Sequence, residues 1–118
     1  MVDIRVARVY EEAEPKSRYR VLVDRLWPRG VKKESLEYDD WNKDVAPSPD
    51  LRTWFGHKPE RFEEFANRYR EELDSSDAPQ ELLKAAGSRD VSLLIAAKDA
   101  QHNHGIVLRD YLAEIAKE

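Results

Sequence analysis

Leu93-Leu94-Ile95-Ala96-Ala97-Lys98-Asp99-Ala100-Gln101-His102-Asn103-His104-Gly105-Ile106-Val107-Leu108 decides how this chain is read. With Val91 and Ser92 ahead of it, the segment begins as nearly continuous apolar sequence through Ala97. That is the pattern of a strand covered on both faces, as in an α/β sheet. A polar loop follows, holding two of the chain's three histidines beside a lysine and an aspartate. The segment then enters a helix from about Asn103 to Ala116, with His104, Val107, Leu108, Tyr111, Leu112 and Ile115 on one face.

Working outward, Ile4–Tyr10 and Tyr19–Val23 read as two further strands, the second rich in β-branched and apolar residues. The polar link from Glu11 to Arg18 suits a hairpin or a short helical turn and leaves the direction of the first strand open. Pro28 and Gly30 stop any regular element after the second strand. Ser35–Val45 reads as a short helix or an irregular cover carrying Leu36, Tyr38 and Trp41. Ser48-Pro49-Asp50 starts a helix: a hydroxyl cap, a proline in the first turn and an acid near the positive end. Leu51, Trp54 and Phe55 form its apolar stripe, and Gly56 can end it in a left-handed conformation.

Pro59 starts a longer amphipathic helix with Phe62, Phe65, Ala66, Tyr69 and Leu73 on one face. Asp77 and Gln80 stand at capping-box spacing before a third helix closed by Gly87. The order of elements predicts an α/β fold, a single small domain over residues 1–118, with a mostly parallel sheet and helices packed on it.

Composition narrows the function. The chain has 118 residues and no cysteine, so disulfides, thiolate metal sites and a cysteine nucleophile are excluded. A cysteine-free chain suits the cytoplasm, and Met1-Val2-Asp3-Ile4-Arg5 does not read as a signal peptide. No apolar run approaches membrane-spanning length, so no membrane partner is expected. The net charge of −4 argues against general duplex-DNA binding. A basic first third nonetheless holds Arg5, Arg8, Arg18, Arg20, Arg25 and Arg29.

The polar cluster Asp24-Arg25-Leu26-Trp27-Pro28-Arg29-Gly30 also follows an apolar run. If Tyr19–Val23 and Val91–Ala97 are parallel neighbours, this cluster and Lys98–His104 leave from the same sheet edge, where α/β folds bind ligands. Asn103 is a natural N-cap, and the helix beyond it offers N–H groups and partial positive charge to an anion. Gly105 in the first turn would let a ligand approach the backbone closely. Arg25 and Arg29 offer forked donors, Lys98 a further cation, and Trp27 an apolar or stacking wall.

The histidines have three readings. His102 or His104 can act as general acid or base, with Asp99 or Asp24 orienting the ring. With Asp99 they can ligate a metal, provided both belong to the loop. Either can instead cap the helix or pack on the sheet. His57, after Gly56, can reach the pocket or cap the next helix, and the cap is the favoured reading. Trp54 reads as core, Trp41 as a partial cover, and Arg25 has a structural alternative in a pair with Asp24. No Gly-x-Ser-x-Gly elbow, P-loop or dinucleotide fingerprint is present. No residue pattern specifies a cofactor or an oligomeric state.

Val23–Gly30, then Trp41 and Lys43, then Ala46-Pro47-Ser48 with Leu51-Arg52 and Trp54-Phe55, together resemble the bacterial YeaO-like proteins of the domain of unknown function 488 family. Phe62, Tyr69, Leu73 and the Asn103-His104 pair extend the resemblance over nearly the whole chain. It implies a small bacterial α/β protein of the cytoplasm. The wider family often carries Cys-His-Arg near the start of the last helix, where this chain reads Asn103-His104-Gly105, so thiol chemistry does not transfer.

The leading expectation is a pocket for a small anionic ligand, phosphate- or nucleotide-containing, with or without catalysis. Arg25, Arg29 and Lys98 would bind it, and His104 or His102 would move a proton with Asp24 or Asp99 in support. A binding module for RNA, single-stranded nucleic acid or a protein partner is the alternative, resting on the basic first third with Tyr10, Tyr19 and Trp27. A metal-dependent enzyme is the third.

Overall fold

The computed structural model describes residues 2–117. Its centre is the apolar run, which forms strand β4 (Val91–Ile95) with every residue buried. Strands β1 (Ile4–Arg8) and β2 (Tyr19–Leu22) flank it, both parallel to it, and β3 (Asp40–Trp41) extends the sheet beyond β2, giving the order β1-β4-β2-β3. The short β1–β2 link is therefore not a hairpin, because β4 inserts between the two strands. With all four strands parallel, every strand leaves the sheet at one common edge.

β3 lies inside Ser35–Val45, where the sequence predicted a helix or irregular cover. It has only two residues, too short for any periodic signal. It forms because Asp39 N–H donates to Arg20 O at 2.7 Å and Asn42 N–H to Leu22 O at 2.8 Å, adding a rung at each end. A 3₁₀ turn follows at Lys43–Val45.

Four helices cover one face of the sheet: α1 (Pro49–Phe55), α2 (Phe62–Asp74), α3 (Ala78–Ala86) and α4 (His104–Ala116). Tyr19, Val21, Val91, Leu93 and Ile95 meet Phe55, Phe65, Tyr69, Leu82, Leu108 and Leu112 in one continuous core. Strand side chains alternate, so Arg20, Leu22, Ser92 and Leu94 point to the other face, and they are buried there too. Both faces of β2 and β4 are thus covered, as the unbroken apolar run of β4 predicted. No helix among the described residues is long and apolar enough to cross a membrane.

The caps follow the sequence except at Asp77 and at His57. Ser48 Oγ accepts from Leu51 N–H at 3.2 Å, Asn103 Oδ1 from Ile106 N–H at 3.0 Å, and Gly56 ends α1 at φ 53°. The Asp77–Gln80 capping box does not form. Asp77 has near-helical backbone angles and makes no side-chain cap, and Ser76 Oγ instead accepts from Ala78 N–H at 3.1 Å.

Candidate functional site

The site starts where β2 and β4 end. Val23 N–H donates to Leu94 O at 3.1 Å, carrying the ladder one residue past β2 and setting Asp24 at the rim. Asp24 is then held on three sides. Its Oδ2 accepts from Ala96 N–H at 2.8 Å, its Oδ1 lies 3.0 Å from His104 Nε2, and its backbone carbonyl accepts from Trp41 Nε1 at 2.7 Å. A carboxylate on the β2 side is thereby tied to the backbone beyond β4 and to the first residue of α4.

The same contacts fix the histidine tautomer. His104 Nε2 also lies 3.1 Å from Val23 O, and a carbonyl oxygen only accepts, so Nε2 carries a hydrogen. Nδ1 is left without a protein hydrogen-bond partner among the described residues. His102 is held differently. Its Nδ1 lies 2.9 Å from Asp99 Oδ2, while Asp99 Oδ1 accepts from the amides of Gln101 and His102 at 2.9 and 3.0 Å. The Gln101 amide, then the ring and amide of His102, hold the Asp99 carboxyl below the usual carboxylate range. The two imidazoles are thus tied to different carboxylates. Among the described residues no three His, Cys, Asp or Glu side chains converge as a metal-ligand set, so the grouping of His102, His104 and Asp99 around an ion does not form.

A cleft of about 600 Å³ opens over this rim, of a size that takes small molecules. Asp24, Arg25, Trp27 and Arg29 line it from the β2 side, and Lys98, Asp99 and His104 from the β4–α4 side. The two polar segments of the sequence therefore meet. Arg25 does not pair with Asp24. It reaches across to the entry of α1, where Nε and Nη2 donate to Pro47 O and Ala46 O at 3.3 and 3.4 Å. Trp27 is half-buried, donates from Nε1 to Val31 O at 2.6 Å and packs edge-on against Trp41 and Tyr38. Leu26 beside it is 66% exposed.

Two expected roles change. Gly105 is buried and faces the sheet rather than the cleft: a Cβ there would stand 3.1 Å from both Ile95 Cγ2 and Val6 Cγ1. Glycine is needed for close approach of α4 to the strands, and it offers no surface to a ligand. Asn103 is buried at 3% exposure and caps α4 as expected, with Nδ2 donating to Asp99 O at 2.7 Å.

Sequence reading missed Arg52 and favoured the wrong one of two readings for His57. His57 is no cap: the next 3₁₀ turn, Pro59–Arg61, begins after Lys58 and has no side-chain cap. His57 instead continues the left-handed turn of Gly56 at φ 58° and lines the cleft. A non-glycine residue in that region costs of order 1 kcal/mol and is uncommon enough to mark. The Gly-His pair at the end of α1 was its only signal. Arg52 projects from α1 to the same cleft. Its position was visible, but nothing in the sequence said that α1 approaches the strand ends.

Among the described residues, Arg25, Arg29, Arg52 and Lys98 form no ion pair, although all four line the cleft. The two acids beside them, Asp24 and Asp99, are occupied with His104 and His102. The cleft accordingly carries an excess of uncommitted positive charge.

Comparison with known proteins places this geometry in a family. A family model described as the inactive DUF488-N3 subclade matches residues 3–118. The uncharacterized protein YeaO of Escherichia coli strain K12 is 38% identical over 115 residues, 97% of this chain and 100% of that protein. The chain is a YeaO-like member of the DUF488 family. Within the family, the uncharacterized protein Rv3073c of Mycobacterium tuberculosis is 49% identical over 109 residues, 92% of each chain. The uncharacterized protein Mb3100c of Mycobacterium bovis matches equally. No solved structure gives a significant match.

Proposed function

We propose that this DUF488 protein is a cytoplasmic binding protein for a small anionic ligand, held in the cleft at the carboxyl edge of the sheet without turnover. One observation carries the reading: Arg25, Arg29, Arg52 and Lys98 line one cleft and, among the described residues, none has a carboxylate partner. Four cations outnumber the two acids of the same cleft, Asp24 and Asp99, and an anion relieves the remaining repulsion. Guanidinium groups favour carboxylate and phosphate oxygens for their forked donor geometry. The description of the matched subclade as inactive supports binding over catalysis. So does Asn103 standing where the resembled wider family often has cysteine.

The Asp24–His104 pair supports a second reading, acid–base catalysis on the same ligand. Its carboxylate fixes the ring and leaves Nδ1 unengaged. Nucleic-acid binding draws less support, because Arg5, Arg18 and Arg20 of the basic first third are tied to Glu14, Asp3 and Asp39.

A thermal-shift screen of phosphorylated metabolites and nucleotides, followed by calorimetry, tests the reading. At least one anion is expected to bind saturably, and Arg52→Ala is expected to weaken it about tenfold, a loss of about 1.4 kcal/mol. A flat response to every anion overturns the proposal. Conversion of a bound compound, lost in His104→Ala, would replace it with the catalytic reading.

A further inference from the structure

A second cavity, a recess of about 240 Å³, adjoins the cleft. The two share Pro47, Arg52, His57, Ala97 and His104 as common wall. All three histidines of the chain, His57, His102 and His104, line this recess, although they come from three separate points in the sequence. Arg52, Thr53 and Asn103 complete its polar wall, and no carboxylate lines it. The wide cleft contrasts with it. There Asp24 and Asp99 stand among the cations, and Leu26, Trp27 and Pro28 give an apolar side.

Resting on the anion-binding reading above, we infer that the ligand has two parts: a phosphate monoester group seated in the histidine recess and a planar ring lying in the wide cleft beside Leu26 and Trp27. The charge distribution assigns the ends. In the wide cleft Asp24 and Asp99 stand among Arg25, Arg29 and Lys98, whereas in the recess a phosphate group meets Arg52 and the imidazoles with no carboxylate among the described lining residues. Arg52 supplies forked charged donors and Thr53 a hydroxyl. The histidines suit a group that both accepts and donates. His102 and His104 each bond a carboxylate through one ring nitrogen, and the other has no hydrogen-bond partner among the described residues. A P–OH can donate to such a nitrogen, and a protonated ring can donate to a P–O⁻. A carboxylate ligand is planar and offers no such proton, so it matches this wall less well.

The wide cleft suits the ring. Trp27 is braced by Trp41, Tyr38 and its own Nε1–H bond to Val31 O, which leaves a rigid aromatic group at the cleft wall. Planar rings gain by packing on such surfaces. Leu26 is a large apolar side chain left 66% exposed beside it. The shared wall at Ala97 and His104 is where a linker joining the two parts would lie. Nucleoside monophosphates and phosphorylated aromatic compounds have this form.

Calorimetric titration of the full chain with inorganic phosphate, adenosine, phenyl phosphate and AMP tests the inference. Phenyl phosphate or AMP is expected to bind at least tenfold more tightly than inorganic phosphate or adenosine. Arg52→Ala should weaken phosphate and AMP alike and leave adenosine unchanged. Trp27→Leu should weaken AMP and leave inorganic phosphate unchanged. Leu26→Ser, at an exposed position, should do the same to a smaller degree and guards against a folding defect in the tryptophan variant. If AMP and phenyl phosphate bind no more tightly than inorganic phosphate, the two-part ligand is overturned and the anion pocket stands. If no phosphate compound binds at all, the anion pocket itself falls.

Discussion

Two clusters of arginine lie on this small sheet, and they differ in one respect. At the amino-terminal half of the strands, on the face away from the helices, every arginine of the cluster has an acid. Arg5 meets Glu14 at 2.6 Å, Arg18 meets Asp3 at 3.1 Å and Arg20 meets Asp39 at 3.2 Å. Ser92, fully buried, links them by accepting from Arg18 Nε at 2.7 Å and donating to Glu14 at 2.6 Å. At the carboxyl edge, Arg25, Arg29, Arg52 and Lys98 have no such partners among the described residues. The first cluster is complete within the chain and serves the fold. The second is incomplete, and its missing counter-charge is what a ligand would bring.

Substitutions should separate the clusters, and the largest effect is expected in the first. Arg18 is 7% exposed and also donates to Val91 O at 2.6 Å. Arg18→Ala leaves a buried hydroxyl and a buried carbonyl without their charged donor and should cost about 3 kcal/mol in urea unfolding. A loss below about 0.5 kcal/mol would mean that the network is ornamental. Asp24→Asn comes next. The amide can satisfy either Ala96 N–H or His104 Nε2–H but presents a donor to the other, at a cost of about 2 kcal/mol. Since Asp24 belongs to the edge, this variant should also displace His104, visible as changed imidazole resonances.

Acid titration gives the third contrast. Burial pushes the Glu14 carboxyl up, but hydrogen bonds from Arg5 and Ser92 and the charges of Arg5 and Arg18 outweigh it and hold the group below its usual value. Burial likewise raises Asp39, and its bonds to Arg20 lower it further than that. A folded-state carboxyl held low stabilises the fold above the unfolded value, about pH 4 to 4.5, and that contribution is lost as pH falls through the folded value. The urea midpoint should therefore decline on acidification below about pH 5, with a shallower decline in Glu14→Gln. An unchanged slope would show that this carboxylate does not anchor the network. The smallest stability effect belongs to the cleft. Arg52→Ala and Lys98→Ala should each shift stability by less than about 0.5 kcal/mol, because neither has a partner to abandon.

The sequence made the sheet legible where burial leaves a pattern. The run from Val91 to Ala97 announced a two-sided strand, and the polar residues after it and after Val23 announced an edge. Asp24, Arg25, Arg29, Lys98 and His104, which line the cleft, were singled out for that reason. Gly105 misled because the same freedom from a side chain serves ligand approach and helix packing, and only the positions of Val6 and Ile95 distinguish them. β3 was hidden because two residues have no period. Arg52 was hidden, and the choice between pocket and cap for His57 went the wrong way, because both depend on how α1 packs beside the strand ends, a tertiary fact with no local signature. The pairing of Arg5, Arg18 and Arg20 was hidden for a like reason: Asp3, Glu14 and Asp39 become partners only once the sheet has formed.

The most direct test of the contrast is a ¹H–¹⁵N NMR titration of the full chain with inorganic phosphate, following arginine side-chain and backbone signals. Saturable shifts are expected for Arg52 and the first turn of α4, with Arg5, Arg18 and Arg20 unmoved. Equal shifts at both clusters, or none that saturate at either, would contradict the division between a completed network and an open site.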